Sequence, residues 1–262
     1  MKRLHFAQVN QERQNTLLPF LSVFLLAALR YLYFGFRYFP QLDDYIQYHN
    51  YAAMGSVPYL IGKLGLFAAR PLAGLMDITL WSWLWPCMIL AVLLLSAMYA
   101  ASAVTFCNLF EKQFGTGGLF VVFYALMPLG IEGTYWVSAS SRIIPGLLFA
   151  ALGAACFARF LEQGGKGRLV GALLLQFLTF CFYEQTAVLS CALHLLLAFL
   201  ARREQRERAA AVFFSLLVAG VYFGVTALSG PSALYDGRTE VILPTSLYYF
   251  DTFLPDLVGQ MK

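Results

Sequence analysis

The chain has 262 residues, 60% hydrophobic, 16% aromatic and only 12% charged, where a soluble domain carries roughly 25% charged residues. That balance excludes a soluble globular or disordered chain and predicts an all-α integral membrane protein. The formal net charge of +4 comes from clusters between apolar runs, which speaks for membrane topology and against nucleic acid as a partner.

Residues 1–16 are polar, carry Lys2, Arg3 and Arg13, and read as a cytoplasmic tail. The apolar run 17–36 has no small-residue cleavage site after it and predicts a retained signal-anchor helix. Arg30, near its far end, is expected to snorkel to the interface in preference to facing the bundle.

Next come Pro40, Gln41, Leu42, Asp43, Asp44, Tyr45, Ile46, Gln47, Tyr48, His49, Asn50 and Tyr51. Adjacent carboxylates beside a bilayer are expensive unless paired or used. In a continuing helix Asp43, Gln47 and Asn50 share one polar face, while Asp44, Tyr48 and Tyr51 share its neighbour. A helix N-cap explains one acid here but not two. His49 is placed to pair with an acid.

The connection 52–77 is interrupted by Gly55, Pro58, Gly62, Lys63, Gly65, Arg70 and Pro71, too often to span, and reads as one or two amphipathic surface helices within an external loop 37–77. A second span is expected at 78–104, opened by Trp81, Trp83 and Trp85 as an interfacial belt. The apolar runs 119–131 and 143–160 flank Glu132 to Arg142, and 169–183 and 186–200 flank Glu184 and Gln185. Each is one overlong span or a pair of short ones, little over ~20 Å long at about 1.5 Å per residue.

Charge decides between them. With a pair in each place, Lys112, Arg159, Lys166, Arg168, Arg202, Arg203, Arg206 and Arg208 join the N-terminal side, 11 of the 18 Lys and Arg residues. The positive-inside rule then gives seven spans within 17–229, a cytoplasmic N-terminus, a last span at 209–228 and an external segment 230–262. Asp43, Asp44, Asp77, Glu132, Glu184, Asp236 and Glu240 all emerge outside with Arg70 and Arg142, which describes a polar cleft open to the outer leaflet. Taken singly, Glu132 and Glu184 are also explained as helix ends. The five cysteines show no ligand spacing and read as small buried hydrophobes.

The Leu42-Asp43-Asp44-Tyr45 element, Ala69-Arg70-Pro71-Leu72, Glu132…Tyr135-Trp136…Ser138…Ser140…Arg142 and Tyr183-Glu184-Gln185, in this order and on this side, resemble the polytopic GT-C class of glycosyltransferases. Within it they are most similar to the bacterial Gtr-type glucosyltransferases that modify surface polysaccharide. The resemblance covers roughly residues 16–229, the seven-helix module of that fold.

It implies inverting transfer of a hexose, at the outer face of the plasma (inner) membrane, from a polyprenyl-phosphate-linked sugar to an envelope glycan or lipid acceptor. The acid matching the family's catalytic base is Asp43 or Asp44. Asp43 is preferred because Asp44 shares its face with two tyrosines. The chemistry asks for a carboxylate to deprotonate the acceptor hydroxyl and for cations on the phosphate leaving group, for which Arg70 and Arg142 are the candidates.

Glu132, Tyr135, Trp136, Glu184 and Gln185 complete the candidate substrate site; Tyr135 and Trp136 are suited to stacking on a sugar ring or to an interfacial belt. A divalent cation, Mg or Mn, is able to bridge carboxylate and phosphate, but no ligand spacing requires one. Members of that family continue with further spans or an external domain, so the chain reads as a truncated or minimal form. A flippase or transporter of a lipid-linked or small polar substrate is the alternative, with His194 as a relay or, more simply, a core histidine. A non-catalytic assembly subunit needs no acid cluster at all.

Overall fold

A computed structural model describes residues 2–32, 35, 37–45, 48, 70–115, 117–126, 136–201 and 205–228. Every regular element among them is helical: α1 (Lys2–Tyr31), α2 (Leu42–Asp44), α3 (Pro71–Met76), a π turn (Asp77–Trp81), a 3-10 turn (Trp85–Cys87), α4 (Met88–Phe114), α5 (Gly117–Leu126), α6 (Val137–Gln163), α7 (Lys166–Phe180), α8 (Glu184–Phe199), α9 (Arg206–Ala209) and α10 (Val212–Leu228). Among the described residues three stretches are long and apolar enough to cross a membrane, Trp85–Phe114, Val137–Gln163 and Arg206–Thr226, while Thr16–Tyr31 and Glu184–Phe199 are shorter apolar helices.

Local chemistry sets the boundaries. The long helix expected at 78–104 starts instead behind Pro86 and runs to Phe114, because proline is accommodated in a first turn and not in a helix interior. It ends where Gly115 takes φ +68° and donates to the Glu111 carbonyl, a left-handed cap that glycine adopts without strain. Gly164 and Gly165, at φ +70° and +96°, turn the chain from α6 into α7. The expected tryptophan belt is corrected in part: Trp83 is exposed, but Trp81 is fully buried and Trp85 packs edge-on against Tyr45.

Helix α6 is the axis, packed by α4, α7 and α8, with α1 lying on α4. It manages this with buried small residues, Ala150, Ala151, Gly153, Ala154 and Ala158, which let helix backbones approach closely. At Gly146 a Cβ would lie 3.1 Å from Thr186 Cβ and 3.2 Å from its Cγ2. Gly146→Ala should therefore lower stability in detergent by about 1–3 kcal/mol, with part of the loss recovered by adding Thr186→Ala; a Tm unchanged by Gly146→Ala would show that the α6–α8 crossing is loose.

Arg30 does not snorkel. Its guanidinium donates to the Ala125 carbonyl of α5, a partner that the bundle interior provides and the lipid does not. His194 is a core histidine: its Nδ1 lies 2.9 Å from Ser215 Oγ, its ring stacks on Phe157, and Gln176 reaches the same hydroxyl at 2.7 Å, fastening α10 to α7 and α8.

The helices alternate in direction, which sorts the polar residues. Lys112 pairs with Glu162 at 2.6 Å and Arg208 donates to the Leu161 and Glu162 carbonyls, tying the last turns of α4 and α6 to the start of the α9–α10 segment. At the opposite end the Leu72 and Ala73 amides donate to the Cys181 carbonyl in the α7–α8 turn. Asp43, Asp44, Arg70, Asp77, Arg142 and Glu184 gather at this second end.

Candidate functional site

The first residues of α6 organise the site. The orphan N–H groups of a helix start need acceptors, and Trp136 at the cap position supplies none from its side chain. The chain leaving α1 supplies them. Tyr38 Oη accepts the Val137 N–H at 2.9 Å and Asp44 Oδ1 accepts the Ser138 N–H at 2.7 Å. Asp44 Oδ2 in turn accepts the Gln41 N–H at 2.9 Å and the Tyr38 hydroxyl. Asp44 is fully buried, so a carboxylate sits against the positive end of α6 with both oxygens engaged. Burial, and then the Asp44 charge, push the Tyr38 phenol well above its ordinary pKa, and it remains a proton donor.

One turn on, Tyr31 donates to Ser140 Oγ at 2.5 Å, and Ser140 Oγ donates to the Trp136 carbonyl at 2.6 Å. Tyr48 Oη lies 2.8 Å from Ser141 Oγ and donates to Asp77 Oδ1 at 3.4 Å. Arg142 closes the chain, its Nη2 3.1 Å from Asp77 Oδ2. The Asp77 side chain is 1% exposed and that of Arg142 19%. Burial raises the Asp77 pKa and the Arg142 charge opposes the rise. The Tyr48 phenol is raised by burial and next by Asp77.

A second ion pair stands at the start of α8. Arg70 Nε lies 2.8 and 3.0 Å from the two Glu184 oxygens, its Nη2 lies 2.8 Å from Oε2, and the guanidinium sits 4.4 Å over the Tyr183 ring. This is the planar, bidentate use of arginine that lysine cannot reproduce. Glu184 is 46% exposed at its side chain, against 20% for Arg70.

The structure thus brings Asp44, Arg70, Arg142 and Glu184 to one end of the bundle in defined pairings. Asp43 is exposed on α2 with no hydrogen-bond partner among the described residues, and Gln185 is exposed in the first turn of α8. Trp136 is half-buried and its carbonyl takes the Ser140 amide and hydroxyl. Glu132 and Tyr135 lie outside the described residues, as do Gln47, His49, Asn50, Tyr51, Asp236 and Glu240. Among the described residues no group of three His, Cys, Asp or Glu side chains is arranged to hold a metal ion.

Sequence reasoning missed Tyr31 and Tyr38, named Tyr183 without the Arg70 guanidinium that lies over its ring, and gave Asp77 no partner. The available signal was the polar run Ser138, Ser140, Ser141 and Arg142 at the head of an apolar helix, which needs inward polar company. Compared with protein-family models, curated proteins and solved structures, the chain has no significant match in any of the three.

Proposed function

We propose that the chain is a membrane glycosyltransferase of the GT-C type, moving a hexose from a polyprenyl-phosphate donor to an envelope glycan or lipid acceptor. The observation that carries this reading is the composition of one bundle end: an exposed carboxylate, Asp43, with no partner among the described residues, on the same end as two arginines, Arg70 and Arg142, each held by a carboxylate. Asp43 takes the proton from the acceptor hydroxyl as that oxygen attacks the anomeric carbon. The bond from the anomeric carbon to the phosphate oxygen breaks, and polyprenyl phosphate leaves with the electron pair.

The two arginines divide the work of holding that phosphate. Glu184 is half-exposed and free to turn outward, so a phosphate can take its place on Arg70. Asp77 is buried and keeps Arg142 in place as a fixed positive charge. Asp44, with both oxygens engaged, positions the α2 segment and leaves the base role to Asp43.

Seven spans with a cytoplasmic N-terminus in the plasma membrane place this end outside, supported by the charge asymmetry of the loops. Asp43 is exposed at this end and is the position to label. Asp43→Cys in intact cells is expected to react with a membrane-impermeant thiol reagent and Arg206→Cys is not; the reverse pattern would invert the topology.

The direct test incubates purified protein with labelled polyprenyl-phosphate hexose and a crude envelope acceptor fraction. Transfer of label to acceptor is expected. Movement of the donor across a vesicle bilayer with no new glycosidic bond would favour the flippase reading.

A further inference from the structure

The end of the bundle away from the candidate site holds a groove that the transfer reaction does not use. It runs between α4 and α6, encloses about 340 Å³, and is lined by Thr105, Asn108 and Lys112 on one wall and Leu152, Cys156 and Arg159 on the other. Positions 105, 108 and 112 share one face of α4, and 152, 156 and 159 one face of α6. The groove therefore follows the helix axes for about 10–15 Å at 1.5 Å per residue.

Its chemistry changes along that length. Leu152, Ala155 and Cys156 make the α6 wall of the deeper part apolar, opposite Thr105, Asn108 and Leu109 of α4, and Arg159, Lys112 and Glu162 make the mouth charged. The charges at the mouth are unequal in availability. Lys112 and Glu162 are committed to each other at 2.6 Å, and the pair forms part of the wall separating this groove from a second one of about 270 Å³. Arg159 is exposed on the last turns of α6 and has no hydrogen-bond or ion-pair partner among the described residues.

A largely apolar trough between two membrane-length helices, ending in a guanidinium with no partner among the described residues at the level where those helices stop, matches the polarity of a phospholipid. We propose that this groove is a binding site for an anionic phospholipid, the phosphate on Arg159 and an acyl chain along Leu152 and Cys156. Basic pockets between membrane helices take lipid head groups in this manner, and the planar fork of arginine suits a phosphate diester. A soluble phosphate would gain from the arginine alone and would leave the apolar length of the groove unfilled.

The test uses the full chain in nanodiscs of defined composition, with bound lipid counted by native mass spectrometry after release. Wild type is expected to retain phosphatidylglycerol over phosphatidylcholine, and Arg159→Gln to lower that preference about fivefold, the fold-change for loss of one basic side chain near a lipid surface. Cys156→Trp, which fills the apolar part and keeps the arginine, should lower phosphatidylglycerol retention to a similar extent. Arg206→Gln, the same charge change outside the groove lining, should leave the preference within about twofold. Thermal melts of each variant separate lost binding from lost folding.

Equal losses for Arg206→Gln and Arg159→Gln would reduce the effect to general surface charge and overturn the proposal. Displacement of the lipid by soluble glycerol phosphate would overturn it too, by assigning the site to a free phosphate. None of these readouts involves sugar transfer, so their failure and the failure of the transferase reading are distinguishable.

Discussion

Asp43→Asn is expected to lower sugar transfer by on the order of 10²- to 10⁴-fold in a protein that melts like the parent, whereas Asp44→Asn is expected to lose stability first. The two side chains are neighbours in sequence and opposites in environment. Asp43 is exposed with no partner among the described residues, so an amide there changes little except the ability to accept a proton. Asp44 accepts from the Ser138 amide, the Gln41 amide and the Tyr38 hydroxyl while fully buried. The asparagine NH2 group must face at least one of these donors. The Tyr38 hydroxyl can turn to accept, but a backbone N–H cannot, and each buried donor left unmatched costs about 1–3 kcal/mol. Loss of negative charge at the α6 N-terminus adds roughly 0.3–1 kcal/mol. Thermal melts and transfer assays on both variants separate the roles. Asp44→Asn with parental stability and no transfer would return the base to Asp44, and full transfer by Asp43→Asn would remove it from Asp43.

The contrast between these aspartates marks where sequence reading reached its limit. Membrane character and helical class follow from composition alone, and Asp43, Asp44, Arg70, Arg142 and Glu184 were placed on one side by hydropathy and charge, both of which are local quantities. Pairing is not local. Asp44 meets the start of α6 94 positions along the chain, and Arg70 meets Glu184 114 positions away. The polar run Ser138–Arg142 reads as a loop between apolar segments, because serine favours caps and turns in isolation. Tyr31 and Tyr48 supply hydroxyl partners for Ser140 and Ser141, so the run folds as the first turns of α6. Arg30 was misjudged for the same reason. Snorkelling is the default for an arginine near a helix end, and the Ala125 carbonyl that draws it inward is invisible until α5 is packed against α1.

Arg142→Gln should be the most destabilising single substitution at the site, and the loss should depend on pH. Removing one partner of a buried ion pair costs about 3–5 kcal/mol, because the remaining charge is stranded without compensation. Here that charge is Asp77, 1% exposed, with Tyr48 as its remaining side-chain donor. The Asp77 pKa is already raised by burial, with Arg142 opposing the rise, so the glutamine variant raises it further. A carboxyl whose folded pKa lies above its unfolded value, about 3.9, favours folding below the unfolded value and loses that contribution as pH climbs through the folded one. The deficit of Arg142→Gln relative to wild type should therefore be smaller at acidic pH than at neutral pH. Asp77→Asn by itself should be milder, since asparagine still accepts from Tyr48 and Arg142 is 19% exposed and can reach water. Adding Asp77→Asn to Arg142→Gln should recover most of the loss, because the stranded charge is then gone. Melts of the four proteins between pH 5 and pH 8 measure this cycle; a pH-independent deficit in Arg142→Gln, unrelieved by Asp77→Asn, would mean that Arg142 stabilises the bundle by packing and not by neutralising Asp77.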